Sequence, residues 1–293
     1  MTEVFNYQGN SGVSGNSGII AETFDTDLVE IIEQNKSRKR SVDINIVCPM
    51  AGRSFCLKDW EKSLCNLPLN RSHLLVYDNS NDARFSARLL KFCQNQISSF
   101  TFVRDNNLPI PAHLQHDCPT LSARCDAFYR HIYEELIDQK LPLCLNLEDD
   151  LIIPKDSFGK LYHVMQNQDV GTAIGSCNDR RDFVYRGVKN SISVDFRVEA
   201  RIGAQEELQI STIHLPEKEM GVEAIGAGHM GLWLTRTDAI RKVGIGTRTY
   251  GGLNGTDMNW GYALNSHGIK FAIDWSIKMG HLFKDRNGKK QVC

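Results

Sequence analysis

Nine cysteines occur in the sequence without a single CxxC pair, and no run of eighteen apolar residues is present. The first absence excludes paired-thiol zinc ribbons and thioredoxin-like redox motifs, and the odd, scattered set reads as reduced thiols packed as small apolar groups. The second leaves no membrane span to expect. An excess of charge of one sign is also lacking. With 34 Lys and Arg against 35 Asp and Glu there is no overall field to hold a polyanion, so any nucleic-acid contact must be local. The first residues do not show the basic-then-apolar layout of a signal peptide, which makes a cytoplasmic location the expectation. What remains is a chain of 293 residues, 41% hydrophobic and 24% charged, long enough for a sizeable core in one large domain or two small ones.

Residues 8 to 18 are almost all Gly, Ser, Asn and Gln, a composition that buries too little surface to offset the entropy of ordering. Residues 1–41 therefore read as a flexible leader and linker. Within them Thr23 to Gln34 has the pattern of a short helix, and the basic run Lys36, Arg38, Lys39 and Arg40, in composition alone similar to a nuclear-import or phosphate-binding cluster, reads as a solvated linker. From Val42 the texture changes to strands alternating with helical patterns, the mark of βαβ units and a mainly parallel sheet. Strands are expected at Val42–Cys48, Leu74–Tyr77, Phe100–Val103, Leu141–Leu147 and Val170–Ser176, and later at Met230–Leu234 and Ile269–Ile273. Helical spacing joins Phe85, Leu89, Phe92, Cys93 and Ile97, and again Leu121, Cys125, Phe128, Ile132 and Leu136. Further helices are expected around Thr237–Val243 and Asp257–Ser266. Residues 178 to 220 alternate charged and apolar side chains without a helical period, which suggests an antiparallel excursion.

Ligands of open α/β sheets settle at the carboxyl ends of strands. Four polar clusters fall at such ends: Pro49 to Arg53, Asp78 to Asp82, Glu148 to Asp150, and Gly255 to Asp257. Glu148, Asp149 and Asp150 are the most informative. Three consecutive carboxylates closing an apolar strand repel one another unless a cation lies between them or they all face water. Mg²⁺ or Mn²⁺ suits such oxygen donors and also binds substrate phosphates. His113, His116, Cys118 and Cys125 offer zinc ligands, but their spacing matches no standard finger and Pro111 and Pro119 break the segment.

Taken in order, these motifs resemble the glycosyltransferases of the GT-A fold, specifically the large family-2-like group, over about residues 42 to 283. Ile44 to Pro49 followed by Arg53 is similar to that group's opening strand and loop. Val76 to Asp82 resembles its nucleotide-holding segment, which implies that Asp78, with Asn79 beside it, contacts the nucleotide. Leu121 to Asp126 resembles the start of a helix whose arginine, here Arg124, approaches the nucleotide. Leu147 to Asp150 resembles the D-x-D motif in the form E-x-D, which implies Asp150 as direct metal ligand and Glu148 and Asp149 as donor-site neighbours. Gly226 to Gly231 is similar to the acceptor-side loop, where His229 either lines the acceptor site or packs beside Trp233. Thr256 and Asp257 resemble the segment that carries the catalytic base, with Asp257 in that role, although the dipole of its helix favours the anion and so weakens the base. Gly280 to Leu282 resembles the C-terminal histidine segment, which implies that His281 completes the metal site or contacts the diphosphate. Lys284 and Arg286 follow it and are expected either to fold over the diphosphate or to lie in solvent.

The resemblance implies a mixed, mainly parallel α/β sheet flanked by helices, with a nucleotide-binding half at 42–150 and an acceptor half at 151–293. The implied function is metal-dependent transfer of a sugar from a nucleotide-diphosphate sugar, UDP-linked by preference, to an acceptor hydroxyl with inversion. Donor and Mn²⁺ or Mg²⁺ are the expected ligands. Candidate acceptors are a glycan, a lipid, a protein, or DNA carrying a hydroxylated base. The last rests on residues 178–201, where Arg180, Arg181, Arg186, Lys189, Arg197 and Arg201 outnumber Asp179, Asp182, Asp195 and Glu199, with Phe183, Tyr185 and Phe196 interleaved. A solvated hairpin explains the same pattern. Two other functions fit less well. A sugar-phosphate nucleotidyltransferase needs a longer glycine-rich loop than the lone Gly52 and a Pro-Lys pair where Pro68 is followed by Leu69. A non-catalytic nucleotide-sugar-binding module has no evident reason to keep Asp150, Asp257 and His281 together.

Overall fold

The computed structural model describes residues 2–7, 14–16, 29–35, 43–105, 128–178, 192–201, 207–245, 255–285 and 287–293. The parallel centre of its main sheet starts with β4 (Ile44–Met50), a strand buried along its whole length. Ile44, Ile46, Cys48 and Met50 enter one core and Val47 the other, the period-two alternation of a strand covered on both faces. β5 (Ser72–Asp78) pairs with it in parallel, and β6 (Ser99–Arg104) pairs with β5 in the same sense. The crossovers are α1 (Leu57–Leu64) and α2 (Ala83–Gln96). α2 begins where Asp82 Oδ1 accepts the main-chain N–H groups of Arg84 and Phe85 at 2.9 and 3.2 Å. Asp82 is thus the N-cap, which leaves Asp78 out of that structural duty.

β7 (Leu143–Leu147) pairs with the other side of β4, again in parallel. The chain has therefore built outward from β4 through β5 and β6 and then returned to build the other way. That reversal makes the carboxyl ends of β4 and β7 the topological switch point, the place where an open sheet leaves a crevice for a ligand. β13 (Leu232–Arg236) runs antiparallel between β7 and β9 (Val170–Cys177), so β9 points the same way as β7. β14 (Lys270–Lys284) runs parallel to β9 and then, after an irregularity between Asp274 and Lys278, continues past the sheet edge. There it pairs with β8 (Leu151–Ile152) and β15 (Lys290–Val292). β12 (Val222–Ile225) lies along its outer side. The two expected helices of the second half are α4 (Thr237–Val243) and α5 (Thr256–Ser266), and a further helix, α3 (Ser157–Val164), precedes β9.

The antiparallel excursion is present as a separate hairpin of β10 (Val194–Arg201) and β11 (Glu207–His214). Of the stretch Thr23 to Gln34, where a helix is expected, the described part from Val29 onward is not helical. Val29–Asn35 is a strand, β3, antiparallel to β6 with Ile31 opposite Val103 and Ile32 opposite Phe102. Burying Ile32 against the sheet outweighs the local helical pattern. β1 (Thr2–Tyr7) and β2 (Ser14–Asn16) extend that edge. Among the described residues no helix is long and apolar enough to cross a membrane.

Buried polar side chains tie the end of β7 in place. Asn146, fully buried one residue before Leu147, accepts the Tyr133 hydroxyl proton at 2.8 Å and donates to the carbonyl of Met230. Trp233 Nε1 in turn donates to the Tyr133 oxygen at 2.9 Å. Replacing Asn146 with Leu strands the Tyr133 hydroxyl proton and the Met230 carbonyl in the core. The expected loss is about 3 kcal/mol by urea denaturation, since each stranded buried group costs about 1–3 kcal/mol; an unchanged midpoint would show that the network adds nothing.

Candidate functional site

The parallel strands bring the loops after β4, β5 and β7 to one edge. Two of these loops touch through Gly52, whose φ of +76° suits glycine. A Cβ there would also lie 2.6 Å from the Ser80 Cβ, so a side chain would push the β4 and β5 loops apart. Pro49 is buried within β4 opposite Tyr77, and the main-chain N–H of Asn79 donates to the Met50 carbonyl at 3.2 Å. Asp78 is fully buried at the end of β5. Its Oδ1 accepts the Ser80 N–H at 3.0 Å, while Oδ2 is buried with no hydrogen-bond partner among the described residues. Burial pushes its carboxyl above the usual carboxylate range.

Across the switch point, the Arg53 guanidinium reaches the carboxylates that follow β7. Its Nη1 binds Asp149 Oδ1 and lies 2.8 Å from Asp150 Oδ2. The Ala51 N–H donates to the other Asp149 oxygen at 3.0 Å. His281 Nε2 is 3.4 Å from the same Asp150 Oδ2, and its Nδ1 faces the Asn178 carbonyl at 3.3 Å. Glu148 is half-buried and accepts the Tyr129 hydroxyl proton at 2.7 Å. Burial opposes the positive charge of Arg53, but Asp149 and Asp150 outweigh it and hold the guanidinium firmly protonated. Burial likewise opposes the charge of His281, and Asp150 overcomes it, raising the imidazole well above its ordinary value. Burial, reinforced by the Asp150 charge, pushes Glu148 up; burial also raises Asp149, against the pull of Arg53.

Arg53, Glu148, Asp149, Asp150 and His281 thus form one cluster. Asp78 stands two strands from β7, about 10 Å at ordinary strand spacing. Lys284 ends β14 with its ammonium 5.0 Å from the centre of the Phe55 ring, beside the Arg53 loop. Asp257 lies in the first turn of α5, at the same sheet edge, because α5 ends where β14 begins. Its Oδ1 accepts the Met258 N–H at 2.9 Å and lies 2.6 Å from where a Cβ of Gly255 would stand, which fixes glycine at that φ of +105°. Arg124 and Arg286 lie outside the described residues, as do His113, His116, Cys118, Cys125 and most of the basic 178–201 stretch.

His229 does not present a charge to the site. Its Nε2 donates to the Gly175 carbonyl at 2.9 Å and its Nδ1 accepts the Gly231 N–H at 3.1 Å, so a neutral imidazole ties β9 to the loop before β13. Burial lowers its pKa to about 4. Because the unfolded chain takes up this proton near pH 6.5 and the folded one only near 4, stability falls as pH drops through that window, by up to about 3 kcal/mol. The drop in urea midpoint between pH 7 and pH 5 is expected to shrink in His229→Gln, whose amide donates and accepts without titrating. An equal drop in both proteins would contradict this.

Tyr129, Tyr133, Asn146 and the Asn178 carbonyl are contributors that the motifs do not contain. Tyr129 and Tyr133 are one helical turn apart and their rings stack at 6.1 Å, a spacing legible in the sequence, although their polar partners are not.

No protein-family model and no curated protein matches the chain. Solved structures do resemble it, among them that of GalNAc-T7 with UDP, GalNAc and Mn²⁺, with a TM-score of 0.54 and 10% sequence identity. The match covers 83% of this chain and 43% of that one, so this chain spans less than half of that protein's length. Together with the mixed sheet and its flanking helices, the likeness establishes the GT-A fold.

Proposed function

We propose that this chain is a metal-dependent glycosyltransferase that moves a sugar from a UDP-sugar to an acceptor hydroxyl with inversion. The observation that carries this reading is the joining of Arg53, Asp149, Asp150 and His281 across the switch point, with Asp78 two strands away, its buried Oδ2 without a hydrogen-bond partner among the described residues. The neighbouring fold's ligands, UDP and Mn²⁺, support the same reading.

The donor set fits a hard divalent ion. Among the described residues no three His, Cys, Asp or Glu side chains gather to cage a metal. Two do converge, Asp150 through Oδ2 and His281 through Nε2, and the Asn178 carbonyl on Nδ1 orients the ring as outer partners of metal-bound imidazoles do. An ion held by two side chains keeps positions for phosphate oxygens and water. When bound, it supplies Lewis-acid stabilisation of the departing diphosphate.

The side chains divide the rest of the work. Asp78 Oδ2 accepts a hydrogen bond from the nucleoside, about 10 Å from the diphosphate end, a distance set by two strand spacings. Arg53 binds phosphate oxygens with its planar fork. Asp257 takes the proton from the acceptor hydroxyl as that oxygen attacks the anomeric carbon and the bond to the diphosphate breaks. Labelled UDP-sugars and an acceptor panel test the reaction class. Labelled acceptor and free UDP are expected; pyrophosphate release from UTP and a sugar phosphate would instead indicate a nucleotidyltransferase.

A further inference from the structure

Arg53 does more than stand near the diphosphate position. Its guanidinium lies on Asp150, the carboxylate that the proposed function assigns to the metal site, and on the neighbouring Asp149. Nη1 is 2.8 Å from Asp150 Oδ2, the oxygen that also faces His281 Nε2 at 3.4 Å, and the same Nη1 binds Asp149. The two aspartate side chains are 2% exposed and that of Arg53 is 16% exposed, so screening by water is poor. An arginine cannot shed its charge by losing a proton. A divalent ion approaching Asp150 Oδ2 therefore meets a permanent cation already in hydrogen-bonding range of that oxygen.

Arg53 can leave Asp150 without unseating the loop. Asp149 is held independently by the Ala51 N–H on its second oxygen, so it keeps its place and a partner while the guanidinium turns. A diphosphate offers the guanidinium the kind of planar, two-point contact it makes best, and it brings negative charge that the ion alone does not.

We propose that Arg53 is a built-in competitor for the metal, closing Asp150 to a lone divalent ion and releasing it when a diphosphate draws the guanidinium away, so that ion and nucleotide bind as a unit. This inference rests on the reading of the cluster as a metal and diphosphate site. Linkage then requires each ligand to raise the affinity for the other by the same factor.

Electron paramagnetic resonance of free Mn²⁺ measures the effect on the full chain, with and without UDP. Arg53→Gln is expected to bind Mn²⁺ alone about tenfold more tightly than wild type, and to lose most of an enhancement by UDP that is itself about tenfold in wild type. Arg53→Lys retains the charge and is expected to stay close to wild type with Mn²⁺ alone. If Arg53→Gln binds Mn²⁺ no more tightly than wild type, or if Arg53→Lys matches Arg53→Gln, the competition is overturned while the metal site stands. If neither wild type nor Arg53→Gln binds Mn²⁺ even with UDP, the metal reading itself falls. Should Arg53→Gln fail to fold, wild type decides, because equal Mn²⁺ affinity with and without UDP overturns the competition.

Discussion

Asp257→Asn is expected to lower kcat by about 10²–10⁴, the usual worth of a general base, while UDP affinity stays within about twofold of wild type. The expectation follows from where α5 begins. Trp260 and Leu264 bury one stripe of the helix against the sheet, with the Trp260 ring 5.7 Å from that of Trp233. Asp257, one turn earlier, continues that stripe toward the carboxyl edge of the strands. Asparagine preserves the volume and the oxygen that accepts the Met258 N–H, so the helix start survives and only the proton acceptor is lost. Steady-state kinetics with a labelled donor would read the change. Activity close to wild type would remove Asp257 from the role of base, and a loss confined to UDP affinity would move it to the donor side.

Asp150→Ala is expected to abolish the part of UDP affinity that depends on Mn²⁺. The loss of Mn²⁺ affinity itself should exceed the about 10–100-fold that follows removal of an outer-shell partner, because Asp150 is assigned direct contact. The same change also removes the anion that Arg53 and His281 share. Breaking a buried pair on one side costs about 3–5 kcal/mol, so Asp150→Asn, which keeps the shape and an acceptor oxygen, is the control for folding. Calorimetric titration of UDP with and without Mn²⁺ would show the difference. Metal-dependent affinity retained by both variants would place the ion elsewhere.

The parts of the fold that were legible in the sequence are those set by local pattern. β4, β5, β7 and α2 follow from alternation, helical spacing and turn formers, and the carboxylate triplet after β7 is conspicuous because it closes an apolar strand. What pairs with the triplet was not legible. Arg53 meets Asp149 across 96 positions, and only the order of strands brings them together. β3 illustrates the opposite failure, in which a helical local pattern yields to partners some seventy residues later on β6. His281 was expected to follow the last strand and instead lies within the 15-residue β14, past its irregularity, where the strand exchanges β9 for β8 as partner. That exchange carries His281 to Asp150, and no residue type announces it.

Thermal unfolding of the full chain with UDP and Mn²⁺, added singly and together, tests most directly whether metal and diphosphate meet at the Arg53, Asp150 and His281 cluster. Stabilisation is expected to be greatest with both present, about 2.7 kcal/mol at ligand concentrations 100-fold above Kd, and chelation should cut it to the smaller shift given by UDP alone. An equal shift with UDP in the presence of a chelator, or no shift with both ligands at saturating concentration, would contradict it.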